Sequence, residues 1–566
     1  MKLEDLLAVS RGDKEADLIL ANGRVVDVFK GRIIQEDVAI SDGWIVGTGT
    51  RAAGETIDLK GAFLCPAFID GHVHIESSMV SLPEYARAVL PHGTAAVVTD
   101  YHEIANVLGV DGVSYMLAAA ADVPLDVFVM LPSCVPATPF ETSGAILEAE
   151  DLIPLLAEPG VIGLGEVMNF PGVVSGDPSV LNKIKAFAGR PIDGHAPGLS
   201  GSQLDAYIAA GIESDHECVT ANEAEEKYSR GMYIFVRQGS TAKNLAALLP
   251  LINEMNQDRF IFVDDDRQPA DLSAEGHMDG ILREAVGRGL DPMIALRMVT
   301  INTARRFGLP GRGGIAPGWK ADLVVLENLE SFRVQQLFKD GKKLAEGGEL
   351  LAELRAGAPA PGAMNIGWKI MSGIQVRAAG DRVLVIGVVP DQIITSRLEE
   401  AAAIEAGMVV PDIGRDILKI CVFERHRGTG NVGVGFIRGF GLHSGALAST
   451  VAHDSHNLMV VGTNDEDILA AARAVEAMGG GQVVVKEGET LAELPLDIAG
   501  LMSSMPLREV ADRVELLRKA ARALGCSLED PFMTLSFMAL PVIPELKMTD
   551  CGLFDVASFS HVPLFV

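Results

Sequence analysis

The stretch Ala62-Phe63-Leu64-Cys65-Pro66-Ala67-Phe68-Ile69-Asp70-Gly71-His72-Val73-His74 decides the fold. Its apolar run reads as buried strand, and it ends in two histidines separated by a single residue. Side chains two apart on a strand share a face, so His72 and His74 can grip one metal ion while Val73 turns the other way. Taken alone, the pair fits an ordinary polar strand end equally well. What separates the two readings is whether acids and histidines recur at later strand ends.

They do recur. Downstream, apolar runs alternate with helical stretches: Ala95–Thr99, Val127–Leu131, Val161–Gly165, Tyr233–Val236 and Phe260–Val263. Each ends in polar or ionisable residues. In order these are Asp100-Tyr101-His102-Glu103, Glu166, His195, Asp215-His216-Glu217 and Asp264-Asp265-Asp266. Seven of the chain's twelve histidines (72, 74, 92, 102, 195, 216 and 277) fall in this part. Residues 66–305 are close to the ~250 residues of a (β/α)8 barrel, whose chemistry sits where the strands end. Four imidazoles, a bridging carboxylate and an aspartate suit two divalent ions that lower the pKa of a shared water.

Working outward, residues 1–65 carry short alternating strands punctuated by Asn22-Gly23 and Asp42-Gly43, turn signals of small β units. The same texture returns over residues 306–355, so the two segments are expected to close one β-sandwich around the barrel insert. Ala356 to Gly362 reads as a linker, and residues 364–566 as a C-terminal α+β domain with a helix at Glu466–Arg473. The fold class is α/β, a TIM-like barrel with a split β-sandwich and an added α+β domain.

Composition narrows the function. At 566 residues with 48% hydrophobic and 22% charged residues, the chain can build several cores. A formal charge of −29 repels phosphate backbones and anionic bilayers. No nucleic acid polymer and no membrane partner are therefore expected. Met1-Lys2-Leu3-Glu4-Asp5 is acidic and begins no signal peptide, which points to the cytoplasm. The six scattered cysteines read as buried thiols.

The order H-x-H, then Glu, His, His and Asp, inside a split sandwich with the return strand Ala316-Pro317-Gly318-Trp319-Lys320-Ala321-Asp322-Leu323, resembles the amidohydrolase superfamily. Within it the bacterial adenine deaminases are most similar. The resemblance is carried by Pro91-His92-Gly93-Thr94, Thr99 to Val107, Gly194 to Gly198, Arg237-Gln238-Gly239-Ser240, Asp265-Asp266-Arg267, Glu275 to Asp279, His453-Asp454-Ser455-His456-Asn457 and Pro531 to Phe537. It covers nearly the whole chain. It implies a binuclear centre of Mn2+ or Fe2+, with Zn2+ as the other candidate, held by His72, His74, Glu166, His195, His216 and Asp265. It implies catalytic roles for Asp265, Glu103 and Glu166, and a purine held by Asp100, His102, Glu103 and His277. The implied reaction is hydrolysis of adenine to hypoxanthine and ammonia in purine salvage by a homodimer. An N6-substituted adenine and a cyclic amide are the alternative substrates.

Two departures stand out. Tyr101 replaces the family's usual Pro, placing a ring and hydroxyl beside the expected substrate contacts, and Asp264 replaces a Ser or Thr. Other motifs keep two readings. Asp100 and Glu103 also fit a capping box, and His277 a satisfied helical group. The His453–Asn457 cluster fits a metal site, an active-site wall or a hydrogen-bonded turn, the last two being preferred. Arg427 to Gly435 is glycine-rich, but no Lys-Ser/Thr follows, so it reads as a turn and not a phosphate loop.

Overall fold

The computed structural model describes every residue except 1, 50, 241, 356, 358–361 and 391. Most of the segment read as a linker thus lies outside the described residues. Eight parallel strands form a barrel: Phe68–Val73, Thr94–Asp100, Asp126–Leu131, Val161–Val167, Ile192–Gly194, Ser214–Asp215, Tyr233–Arg237 and Phe260–Val263. They form two arcs, the first five strands and the last three, each paired in chain order. Between the arcs, Glu213 N donates to Ile192 O at 3.2 Å. At the closing seam Asp265 N donates to His72 O (3.0 Å) and His74 N to Asp265 O (3.1 Å). The barrel therefore closes through three of the residues that carry its chemistry.

Sequence reading anticipated apolar runs before His195 and His216, and the structure corrects this. The strands there are Ile192–Gly194 and Ser214–Asp215, three and two residues long, and they bury Asp193 and Asp215. Such charges survive burial only when paired. Arg306 Nη2 reaches Asp193 Oδ1 at 2.7 Å. Lys227 Nζ donates to Asp215 Oδ2 (3.0 Å), Glu223 Oε1 (2.8 Å) and Ala196 O (2.7 Å). Ionic and carbonyl bonds thus replace the apolar pattern that a longer strand would have shown.

The flanking sandwich interleaves both chain ends. In its seven-stranded sheet, Leu323–Leu326 lies antiparallel to Phe63–Pro66, with Val324 opposite Cys65. A four-stranded sheet, Ala16–Ala21, Val38–Ser41, Trp44–Thr48 and Ala53–Asp58, covers it. Leu20, Val38 and Ile40 meet Leu64, Leu323 and Val325 in one core. The C-terminal region builds an eight-stranded sheet with helices Asp465–Ala477 and Leu507–Ala523. A single apolar core runs from Ile104 and Val129 of the barrel to Met459, Val461 and Leu517 of this region. That continuity fixes the helix Pro531–Phe537, whose Phe537 faces the barrel mouth. Among the described residues no helix is long and apolar enough to cross a membrane. Five cysteines are buried, whereas Cys551 is exposed, contrary to its reading as a buried thiol.

Lys227 is fully buried between the loops that bear His195 and His216. Lys227→Met would leave Asp215 uncompensated and should destabilise the protein by about 3–5 kcal/mol. Equilibrium denaturation in urea reads this directly.

Candidate metal centre and active site

Three strand ends use one local device. Asp70 Oδ1 accepts from His72 N (3.1 Å), Asp100 Oδ1 from His102 N (3.0 Å) and Asp215 Oδ2 from Glu217 N (3.1 Å). An aspartate side chain that bonds the backbone two residues on turns the chain sharply, and each turn aims a histidine or glutamate across the barrel mouth. Asp100 Oδ2 also accepts from Glu166 N at 3.0 Å, fixing the neighbouring strand.

The side chains converge on Glu166. Its Oε1 lies 3.2 Å from His74 Nε2. Its Oε2 lies 2.7 Å from His195 Nδ1 and 3.1 Å from His216 Nε2. Asp265 Oδ1 stands 3.3 Å from His72 Nε2 and 3.4 Å from His74 Nε2. Asp265 occupies the left-handed region (φ 63°), which aspartate tolerates better than most residues. Donor atoms around an ion with bonds of about 2.0–2.2 Å are spaced by about 3.0–3.5 Å, close to most of these separations. The His72–His74–Glu166, Glu166–His195–His216 and His72–His216–Asp265 groups are close enough to hold divalent metal. His72 Nε2 and His216 Nδ1 are buried without a hydrogen-bond partner, and a ligand role satisfies the first of them. His74 Nδ1 faces Asp100 O at 3.3 Å, a bond that orients the ring and leaves Nε2 free to ligate.

Electrostatics follow from this crowding. Burial raises the Glu166 carboxyl, yet the imidazoles of His216, His195 and His74 outweigh it and hold it well below the ordinary range. Asp265 is held down in the same way by His72, His74 and Arg237. Arg237 bonds both oxygens of Glu217 and donates to Asp265 Oδ2 at 3.0 Å. Sequence reading quoted Arg237 and Glu217 only as parts of motifs and gave them no role. Their signal was an acid directly after His216 and an arginine at a strand end.

Of the four purine contacts that the resemblance implied, two line the cavity and two do not. Glu103 and His102 line the cavity, which they share with Asp266, Asp454, His453, Phe537, Leu540 and Ile543. Asp100 and His277 are buried away from it. Asp100 is consumed by backbone bonds. His277, read as a substrate contact or a satisfied helical group, is fully buried behind the strands. Its Nε2 faces Asp70 Oδ2 (3.3 Å) and Asp264 Oδ2 (3.2 Å), and its Nδ1 faces Thr94 Oγ1 (2.8 Å). Burial lowers its basicity, but the two carboxylates outweigh that and raise its pKa to about 9. Asp264 is thus a structural counter-ion, also bonded to Arg267 at 3.3 Å. Tyr101 is likewise wholly buried in the apolar core, because its strand-to-helix junction turns the ring inward and not toward the cavity.

The C-terminal region enters the site directly. His453 Nδ1 lies 2.7 Å from Glu103 Oε1, and His456 Nε2 contacts Glu103 Oε2. The His453–Asn457 loop is therefore a wall of the cavity. The glycine-rich loop after it in the sequence reading is closed on the protein's own anion: Arg427 N (2.6 Å) and Thr429 N (2.8 Å) donate to Glu424.

A Cβ on Gly165 would stand 1.8 Å from Asp100 Oδ2. Gly165→Ala should displace Asp100 and Glu166 together and reduce bound metal at least about tenfold, as read by elemental analysis after dialysis. Lys547 donates to Phe537 O (2.9 Å) and Ile393 O (2.8 Å), and burial lowers its pKa to about 7. The folded state binds this proton less tightly than the unfolded chain, so stability at this residue rises as pH climbs from about 7 toward 10.5. Relative to Lys547→Met, the wild type should gain stability over that interval in denaturation curves taken at successive pH values.

Comparison with known proteins agrees with this architecture. Residues 63–344 match the amidohydrolase family model, and residues 392–560 match the adenine deaminase C-terminal domain. An adenine deaminase of Dehalococcoides mccartyi is 49% identical over 564 residues, 99% of each chain. One from Desulfatibacillum aliphaticivorans is 50% identical over 568 residues, again 99% of each, and one from Methanothrix thermoacetophila is 47% identical over the full length of both. Among solved structures, the L-hydantoinase (dihydropyrimidinase) from Arthrobacter aurescens is 15% identical with a TM-score of 0.46, covering 60% of this chain and 98% of that one. With identity near one half along its entire length, the chain belongs to the adenine deaminase family of the amidohydrolases.

Proposed function

We propose that the protein hydrolyses adenine to hypoxanthine and ammonia. The observation that carries the reading is the 46–50% identity to adenine deaminases along the whole chain. The cavity sets the carboxylates and imidazoles of the barrel mouth against the apolar side chains of Phe537, Leu540 and Ile543, the mixture of polar and apolar lining that small-molecule sites have.

Two divalent ions held by His72, His74, Glu166, His195, His216 and Asp265 would supply Lewis acidity that makes water nucleophilic near neutral pH. Nitrogen and oxygen donors without thiolate suit Mn2+, Fe2+ or Zn2+ alike, and the resemblance to the family favours Mn2+ or Fe2+. In the reaction a C6–O bond forms, the C6–N bond to the exocyclic amine breaks, and the two protons of water end on the ring and on the departing ammonia. Asp265, kept ionised by its neighbours, accepts a proton from water and returns it to the leaving nitrogen. Glu103, across the cavity, handles the proton at ring nitrogen N1. His102 lies between Glu103 and Glu166, with Nε2 3.4 Å from Glu103 Oε1 and Nδ1 3.5 Å from Glu166 Oε1. Phe537, Leu540 and Ile543 shield the reacting carbon from bulk water. Tyr101 is buried in the apolar core and is not part of the cavity lining.

The metal-loaded enzyme should release ammonia from adenine with kcat/KM at least about 10²-fold above its values for N6-methyladenine and dihydrouracil. Equal or higher turnover of either competitor would overturn the assignment. Glu103→Gln should lower kcat by about 10²–10⁴-fold with metal content intact, whereas loss of metal would make Glu103 a ligand.

A further inference from the structure

Glu103 opens the helix His102–Leu108 of the barrel, yet both of its carboxylate oxygens are taken by residues some 350 positions away. His453, Glu103 and His456 group three donor atoms closely enough to suggest a further cation. The hydrogen bonding of His456 tells against one. Ala452 N donates to His456 Nδ1 at 3.1 Å, and a backbone N–H can only donate. Nδ1 must therefore carry the lone pair, which in a neutral imidazole puts the hydrogen on Nε2. Burial, the largest influence, lowers the His456 pKa to about 4 and keeps the ring neutral. Nε2–H then donates to Glu103 and has no lone pair to offer a metal.

The loop that delivers these rings is held from several sides. Arg425, wholly buried, donates to the carbonyls of His456, Ala363 (2.7 Å) and Ala499 (3.1 Å). Asn457 Nδ2 donates to Thr142 O of the barrel at 2.8 Å, and His426 Nε2 meets Ser455 O at 2.7 Å. The His453 ring stacks on Phe537 with centroids 4.9 Å apart and planes 21° from parallel. Nothing in this arrangement leaves the two imidazoles free to swing.

We propose that His453 and His456 are positioning residues: they clamp the two oxygens of Glu103 so that its carboxyl is aimed at the purine ring. The C-terminal domain thereby completes the active site of the barrel. A glutamate without such bonds samples several rotamers, and a proton-transfer group displaced from hydrogen-bond reach loses its effect. The proposal rests on the role given to Glu103 above.

A mutant cycle separates the two claims. His456→Ala and His453→Ala are measured in the wild-type and in the Glu103→Gln backgrounds, with adenine as substrate and with metal content and thermal transitions recorded for each. The expected result is a loss of about 10²-fold in kcat for each alanine variant, little change in KM, unchanged metal content, and less than about threefold further loss when Glu103 is already Gln. His456→Gln keeps an N–H near the Nε2 position and His453→Asn keeps one near Nδ1, so each should recover most of the loss; these variants carry the test if an alanine variant fails to fold. Equal losses in both backgrounds, no loss at all, or release of a bound ion by His456→Ala would overturn the clamp. Full activity of Glu103→Gln would instead overturn the role of Glu103 and the clamp with it.

Discussion

The structure depends on balancing negative charge buried at one end of the barrel. Glu103, Glu166, Glu217, Asp265 and Asp454 all lie below one-tenth exposure around a single cavity. Carboxylates at such depth neither ionise freely nor stay close together unless cations or hydrogen-bond donors face them. Here four of the five are answered. Glu166 and Asp265 meet histidines that fit divalent ions, Glu217 meets Arg237, and Glu103 meets two imidazoles from another domain. Asp454 lacks so close a partner, and burial raises its pKa to about 6. The centre is thus held together by the same attractions that would draw in metal.

Supporting charges sit one layer further out and do a different job. His277 between Asp70 and Asp264, Lys227 against Asp215 and Arg306 against Asp193 all lie within or behind the strands. Each ties together strand ends or loops that carry ligands. Because the barrel closes through Asp265 and the backbone of His72 and His74, small shifts in this layer would be transmitted to the ligand atoms themselves. The short strands before His195 and His216 tolerate their polarity for this reason.

The C-terminal domain is less an appendage than the fourth side of the cavity. Its apolar core is continuous with that of the barrel, and the burial of so much shared surface holds the His453–Asn457 loop and Phe537 over the mouth. Lys547 and Arg425, both buried and bonded chiefly to carbonyl groups, staple this cover. Both the imidazoles that meet Glu103 and the apolar cover over the mouth therefore come from this region.

The sequence by itself determined the barrel, the split sandwich and the order of ligand-bearing strand ends. Periodicity and the H-x-H spacing act over a few residues, and an aspartate two positions before each turn is a local signal. The strands before His195 and His216 were not legible, because ion pairs to Arg306 and Lys227 replace the apolar pattern. Tertiary structure alone decided which acid faces the cavity: Asp265 and Asp264 are adjacent, and the left-handed turn at Asp265 sends one to His72 and His74 and the other to His277. It alone withdrew Asp100, His277 and Tyr101 from the cavity, and it alone brought His453 and His456 to Glu103. Contacts between residues hundreds of positions apart are set by how domains pack, and no local spacing encodes them.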